Sequence, residues 1–249
     1  MHEADNDTAR RRAIFPRFLP LGDSALSVEF ANEIDPAVNA SVQALDRAIA
    51  VSNLEGIVET APSFRALLIV YEPEILGLEE LITALRGLLA EGLRSRSVTG
   101  RSWTIPVLYG APSDADLLEV AAATGNSRAD VVSIHSSAEY RVYFVAFMPG
   151  LPVLGGLPPA LHLPRRPEPR QGIQTGCVMI GGMQGLIVPM TMPSGWYSLG
   201  QTPLRAYRPH AQDPFLFRPG DRIRFRPVTP READALAGLP GESFMDSEA

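Results

Sequence analysis

Apolar and polar positions follow two different rhythms along the first hundred residues. Leu26, Val28 and Phe30 interleave with Ala25, Ser27 and Glu29, the two-residue period of a half-buried strand. Gly22-Asp23 just before them are turn residues, so residues 15–19 are expected to form the other arm of a hairpin. Asp35-Pro36 then opens a helix, with proline at a first-turn position. Val38, Val42, Leu45 and Ile49 supply its apolar stripe. Residues 56–61 and 66–71 read as strands, the second one buried. Residues 78–89 read as a second amphipathic helix. Residues 102–108 return to strand, with Trp103, Ile105 and Val107 on one face. The order βαββαβ suggests the split βαβ, or ferredoxin-like, arrangement. In the preferred version the strand at 15–19 completes the first sheet. Residues 102–108 then begin a second domain, because the polar stretch 92–101 reads as a linker.

Past that stretch the pattern changes. Two short helices are expected at 114–123 and 128–136, the latter with Ser127 as N-cap. From Tyr140 to Phe225 turn residues set the spacing: Pro149-Gly150, Gly155-Gly156, Pro158-Pro159, Gly181-Gly182, Pro193-Ser194-Gly195-Trp196 and Pro219-Gly220-Asp221. Short apolar runs between such turns predict a barrel or sandwich of short strands. They also put Gly, Arg and aromatic residues on loops, where sites usually lie. The expected division is one domain over 13–98 and another over 101–230, with mobile polar tails at 1–12 and 240–249.

Composition removes several chemistries. The net charge of −6 argues against a nucleic-acid partner. All 22 basic side chains are arginine, which rules out a P-loop lysine, a Schiff-base lysine and a biotinyl-lysine in this chain. The single cysteine, Cys177, forms no internal disulfide, and a reducing cytoplasm is the expected compartment. One cysteine and four histidines exclude a multi-thiolate zinc site, and no metal site is expected. No apolar run is long enough for a membrane span, and no targeting segment is expected.

Ordered matches then carry a family resemblance. In the first half they are Leu19-Pro20-Leu21-Gly22-Asp23, Glu29-Phe30, Ile34-Asp35-Pro36, Val58-Glu59-Thr60 and Pro62-Ser63-Phe64-Arg65. In the second half they are His135-Ser136, Glu139-Tyr140-Arg141-Val142-Tyr143, Phe147-Met148-Pro149-Gly150, Leu154-Gly155-Gly156-Leu157, Pro164-Arg165-Arg166, Pro169-Arg170, Gly195-Trp196, Thr202-Pro203 and Pro219-Gly220-Asp221-Arg222. Over residues 18–228 the chain resembles the B-type component of 5-oxoprolinase, also called allophanate hydrolase subunit 1 and related to the kinase inhibitor KipI. The resemblance implies an α+β chain, a ferredoxin-like N-terminal domain followed by a cyclophilin-like β-barrel domain. It also implies ATP with Mg as co-substrate, a small-molecule substrate and a partner, the C-type component of the same enzyme. The departures fall on loops. Leu151 and Val153 replace two aromatics, Met183-Gln184 stands where the family has Gln-Thr, and Gln201 replaces an Arg before Thr202-Pro203.

Candidate chemistry follows from residue types on those motifs. His135 sits at a helix end before the barrel. It could move protons near neutral pH, or simply complement the helix dipole. Gln184 could hydrogen-bond an amide, or be an exposed turn residue. Arg165, Arg166 and Arg170 lie in a proline-rich loop. Guanidinium groups there could hold a carboxylate or phosphate, or pair with surface carboxylates. Pro149 and Gly150 could line the pocket, since glycine allows close approach. Trp196 could cover it or join the core, and Thr202 completes the binding set. Cys177, in a strand, reads as a small apolar residue, and Asp221 as a turn residue. Gly181-Gly182 with Gly185 has neither Walker nor Rossmann spacing and reads as tight turns. The expected function is one component of an ATP-dependent amidohydrolase opening 5-oxoproline or a related small cyclic amide. The alternatives are a histidine-kinase inhibitor and a carboxyltransferase-like module of a urea carboxylase-type system.

Overall fold

A computed structural model describes residues 15–91 and 100–246. The expected tail at 1–12, residues 247–249 and most of the expected linker lie outside the described residues. Chain contacts divide at residues 97/98 into two compact units.

In the first unit Gly22, at φ +64, turns the chain from β1 (Arg17–Leu21) into β2 (Ala25–Glu29). α1 (Pro36–Ser52) starts where the Asp35 carboxylate accepts hydrogen bonds from the N–H groups of Ala37 and Val38. It ends at Asn53, which is left-handed. β3 (Ile57–Pro62), β4 (Ala66–Tyr71) and α2 (Leu78–Ala90) follow. The sheet is antiparallel in the order β1-β2-β4-β3. Its sequence of elements is thus ββαββα, and the strand after residue 100 is not part of it. Leu26, Val28, Val42, Leu45, Leu67, Ile69, Leu81 and Leu85 form its core. Two polar side chains share that interior. Asn39 donates to the carbonyls of Ser63 and Phe64, and Gln43 donates to Asn39.

The second unit is built on a closed barrel. Its elements are β5 (Ser102–Tyr109), α3 (Ala115–Thr124), α4 (Arg128–Ser137), β6 (Glu139–Val145), β7 (Pro152–Gly155), β8 (Arg170–Ile173), β9 (Cys177–Gly181), β10 (Gln184–Ile187), β11 (Met192–Ser194), β12 (Tyr197–Gln201), β13 (Arg222–Pro227) and α5 (Pro230–Leu236). The barrel order is β10-β7-β6-β13-β5-β12-β9, closed by the β9–β10 hairpin, while β8 and β11 pair separately. The β13–β5 pair is parallel. Ser127 caps α4 through a reciprocal box with Asp130. Trp103, Ile105, Val107, Leu154, Ile180, Leu199, Ile223 and Phe225 fill the interior.

One expectation is extended here and one is corrected. Asp221 closes a turn as expected, its N–H donating to the Arg218 carbonyl, but it is also only 2% exposed. Its carboxylate accepts from Arg101 (2.6 and 3.2 Å), from the Trp103 indole (3.0 Å) and from the Arg218 N–H (3.0 Å). It therefore joins the entry and exit of the barrel. The chain after Pro240, read as a mobile tail, is packed through Asp246. Phe244 is buried, Met245 bridges to Trp103, and the Asp246 N–H donates to the Ser102 carbonyl. The polar composition of that segment hides its one apolar anchor.

Candidate functional site

The proline-rich loop and α3 build the densest group of charges. Arg166, 12% exposed in its side chain, donates to both carboxylate oxygens of Glu119 at 2.6 and 2.7 Å and to Asp116 at 3.0 Å. Arg170 also pairs with Asp116, and reaches Glu119 at 3.5 Å. The other Asp116 oxygen accepts the Ser198 N–H at 2.9 Å. Asp116 and Glu119 are three positions apart on α3, so they share a face. Two guanidinium groups thus meet two carboxylates, and the group is close to neutral. The hydrogen bond from Arg166 holds the Glu119 carboxyl below its ordinary range.

Tryptophan and tyrosine carry the rest of this surface. The Arg165 guanidinium lies over the Trp196 ring, 4.7 Å from its centroid, and that of Arg166 over Tyr197 at 4.1 Å. Trp196 itself packs on Gly181, where a Cβ would come within 2.9 Å of the indole. Gln184 pairs in register with Gly181. The fold therefore brings Arg165, Arg166, Arg170, Trp196 and Gln184 into one neighbourhood. Beside it, a cavity of about 130 Å³ is lined by Asp116, Arg170, Gln174, Cys177 and Ser198, among others. Burial pushes the Cys177 thiol up, partly offset by a hydrogen bond with Ser198, so it is a protonated thiol there.

The remaining candidates lie elsewhere. His135 is 0% exposed. It stacks on Phe225 at 4.7 Å, and Tyr109 and Tyr140 flank it. Its Nδ1 is 2.7 Å from the Tyr109 hydroxyl, and its Nε2 is buried without a partner. Burial pushes its imidazole down to about 3, so it is neutral at working pH. The expected proton carrier is in this structure a core residue, walled off by aromatic rings. Gly150, at φ +75, lets the chain pass Tyr207, whose Cβ would lie 2.8 Å from an added Cβ. Pro149 beside it is exposed, and neighbouring Phe147 is 82% exposed at φ 72. Thr202 is buried, donating its N–H to the Gly176 carbonyl and accepting the Leu204 N–H on its hydroxyl.

Asp116 and Glu119 had no motif to mark them. Their only signal is an acidic pair at helical spacing in a chain with an arginine-rich loop. As for ATP, the residues do not fit a triphosphate. Arg166 and Arg170 are taken by carboxylates, and the glycines at 181, 182 and 185 form the β9–β10 hairpin. Among the described residues there is no group of His, Cys, Asp and Glu that could hold a metal ion. No helix is long and apolar enough to cross a membrane among the described residues.

Comparison with known proteins gives a consistent set of relatives. The profile of the carboxyltransferase domain, subdomain C and D, matches residues 16–217. The 5-oxoprolinase B subunit of Bacillus subtilis is 35% identical over 225 residues, covering 86% of this chain and 94% of that protein. The Escherichia coli O157:H7 protein of the same name is 37% identical over 209 residues, covering 83% and 94%. Among solved structures, TTHA0988 superposes with a TM-score of 0.73 at 34% identity over 82% of this chain. The chain spans only 40% of that molecule. Kluyveromyces lactis urea amidolyase shares the fold, with a TM-score of 0.73 at 21% identity, over 88% of this chain and 15% of its own.

Proposed function

The chain belongs to the carboxyltransferase-domain family that contains the 5-oxoprolinase B subunits, and from that premise we propose that it is one component of an ATP-dependent amidohydrolase opening 5-oxoproline or a close cyclic amide. The observation that carries this reading is the identity to two such B subunits along 94% of their length. In the same reading the first unit is a ferredoxin-like domain and the second a cyclophilin-like one, and the assembly is cytoplasmic. ATP and Mg are handled by the partner, a C-type subunit, because Arg166 and Arg170 are already paired with Asp116 and Glu119.

The substrate-facing set is then Arg165, Trp196, Gln184 and the half-exposed Arg170. Of the three loop arginines, Arg165 is the one that meets a ring rather than a carboxylate. The test is co-expression with the C-type partner and an ATP-dependent assay of 5-oxoproline conversion to glutamate. Arg165→Ala and Trp196→Ala should each lower kcat/KM by about tenfold or more, a loss of ~1.4 kcal/mol in transition-state stabilisation. Full turnover by the single chain, or an assembled complex that turns over no cyclic amide, would sink the reading.

A further inference from the structure

A second, larger cavity lies where the barrel meets the C-terminal helix. It encloses about 510 Å³, within the range of roughly 300–1,000 Å³ typical of small-molecule sites. Leu108 of β5 and Gln201 and Thr202 at the end of β12 form one wall, and Ala233 of α5 and Ala237 just after it face them. The α5 wall lies beyond residues 16–217, so it is not part of the family match. It is nonetheless firmly held. Thr229 and Glu232 cap α5 reciprocally, and Phe244 and Asp246 fasten the chain that follows to the barrel. Gly241 sits so close to Leu216 that an added Cβ would come within 2.7 Å of that side chain.

The charges of this cavity are unequal in their freedom. Arg208 is committed: it pairs with Glu242 at 2.8 Å and donates to the Asp213 carbonyl at 3.3 Å. Arg205 is exposed on the same rim, and no hydrogen bond, ion pair or ring contact engages it among the described residues. Asp234 stands on the opposite side, an acceptor for an N–H group. The committed Glu242 and the open Asp234 oppose a dianion, while one free guanidinium suits one carboxylate.

We propose that this cavity binds a small organic monocarboxylate, with the carboxylate on Arg205 and an apolar body against Leu108, Ala233 and Ala237. The ligand's N–H, where it has one, faces Asp234. This inference does not rest on the amidohydrolase reading. Its test uses the purified full chain without ATP or partner, so the two stand or fall separately. Calorimetric titration would use 5-oxoproline and N-acetylalanine as monocarboxylates, pyrrolidin-2-one as an uncharged counterpart, and inorganic phosphate. The expected result is saturable binding of at least one monocarboxylate, weakened about tenfold or more by Arg205→Gln. Ala237→Trp, which narrows the cavity, should weaken it, and pyrrolidin-2-one should not bind. Should Ala237→Trp fail to fold, Arg205→Gln is at an exposed position and keeps the test alive. The proposal is overturned if neither monocarboxylate saturates, if Arg205→Gln binds as tightly as the parent, or if phosphate competes equally well.

Discussion

His135 and Arg166 occupy opposite extremes of the same unit. The histidine is polar by type but sits among Tyr109, Tyr140 and Phe225, with one ring nitrogen unpartnered. The arginine is charged and largely covered, yet two carboxylates meet it. One group survives burial by staying neutral, the other by being paired. Burial is therefore no guide to function in either case. What differs is the consequence of removing a partner, which is mild for a neutral ring nitrogen and severe for a desolvated charge.

The largest effect should come from Arg166→Ala. Asp116, 5% exposed, would lose one of its two guanidinium partners, and a loss of about 3 kcal/mol in urea-unfolding free energy is expected. A loss below about 1 kcal/mol would mean that Arg170 alone suffices. His135→Ala should cost slightly less, about 2–3 kcal/mol, from the cavity beside Phe225 and the orphaned Tyr109 hydroxyl. Per folded molecule, the assembled complex should keep its activity. An activity loss well beyond the stability loss would return the histidine to the chemistry.

The two groups should also separate by pH. The unfolded chain's histidine takes up a proton near 6.5, whereas His135 in the folded chain does so only at about 3. Between those values the unfolded state holds the extra proton, so stability falls as pH falls. The slope from this group approaches ~1.4 kcal/mol per pH unit. In His135→Gln that contribution should vanish, and an unchanged slope would assign the acid sensitivity to carboxylates. The smallest effect belongs to Glu119→Gln. Glu119 is 42% exposed, so a loss of about 0.5–1 kcal/mol that shrinks in high salt is expected from parallel melts at two ionic strengths.

The same contrast shows what the chain reveals before folding. Local chemistry was legible: Asp35-Pro36 begins α1, Ser127 caps α4, and residues 66–71 form β4. The run 66–71 is apolar throughout, yet only alternate residues, Leu67, Ile69 and Tyr71, are fully buried, because the sheet's face decides what continuous hydrophobicity cannot. The pairing of Arg166 with Asp116 was not legible, since 50 residues separate them and neither helix nor loop periodicity refers to the other. His135 was marked by motif with proton transfer and a structural role both open, and its enclosure among aromatic rings was not legible because its motif names neighbours in sequence only. α5 and the packed end at Phe244 escaped because a short capped helix and a single aromatic anchor leave little periodic signal.

The parallel pairing of β5 with β13 sets an order of events during synthesis. Arg101 and Asp221, whose side chains lock that junction, are 120 residues apart. A ribosome therefore releases the first staves of the barrel long before the last one exists. The first unit, whose widest strand pairing reaches only from Ala25 to Val70, can close while translation continues. The barrel cannot close until β13 has emerged, and its long-range pairing makes that closure slower than that of the first unit. Until then Trp103 and Ile105 are exposed to other nascent chains and to chaperones.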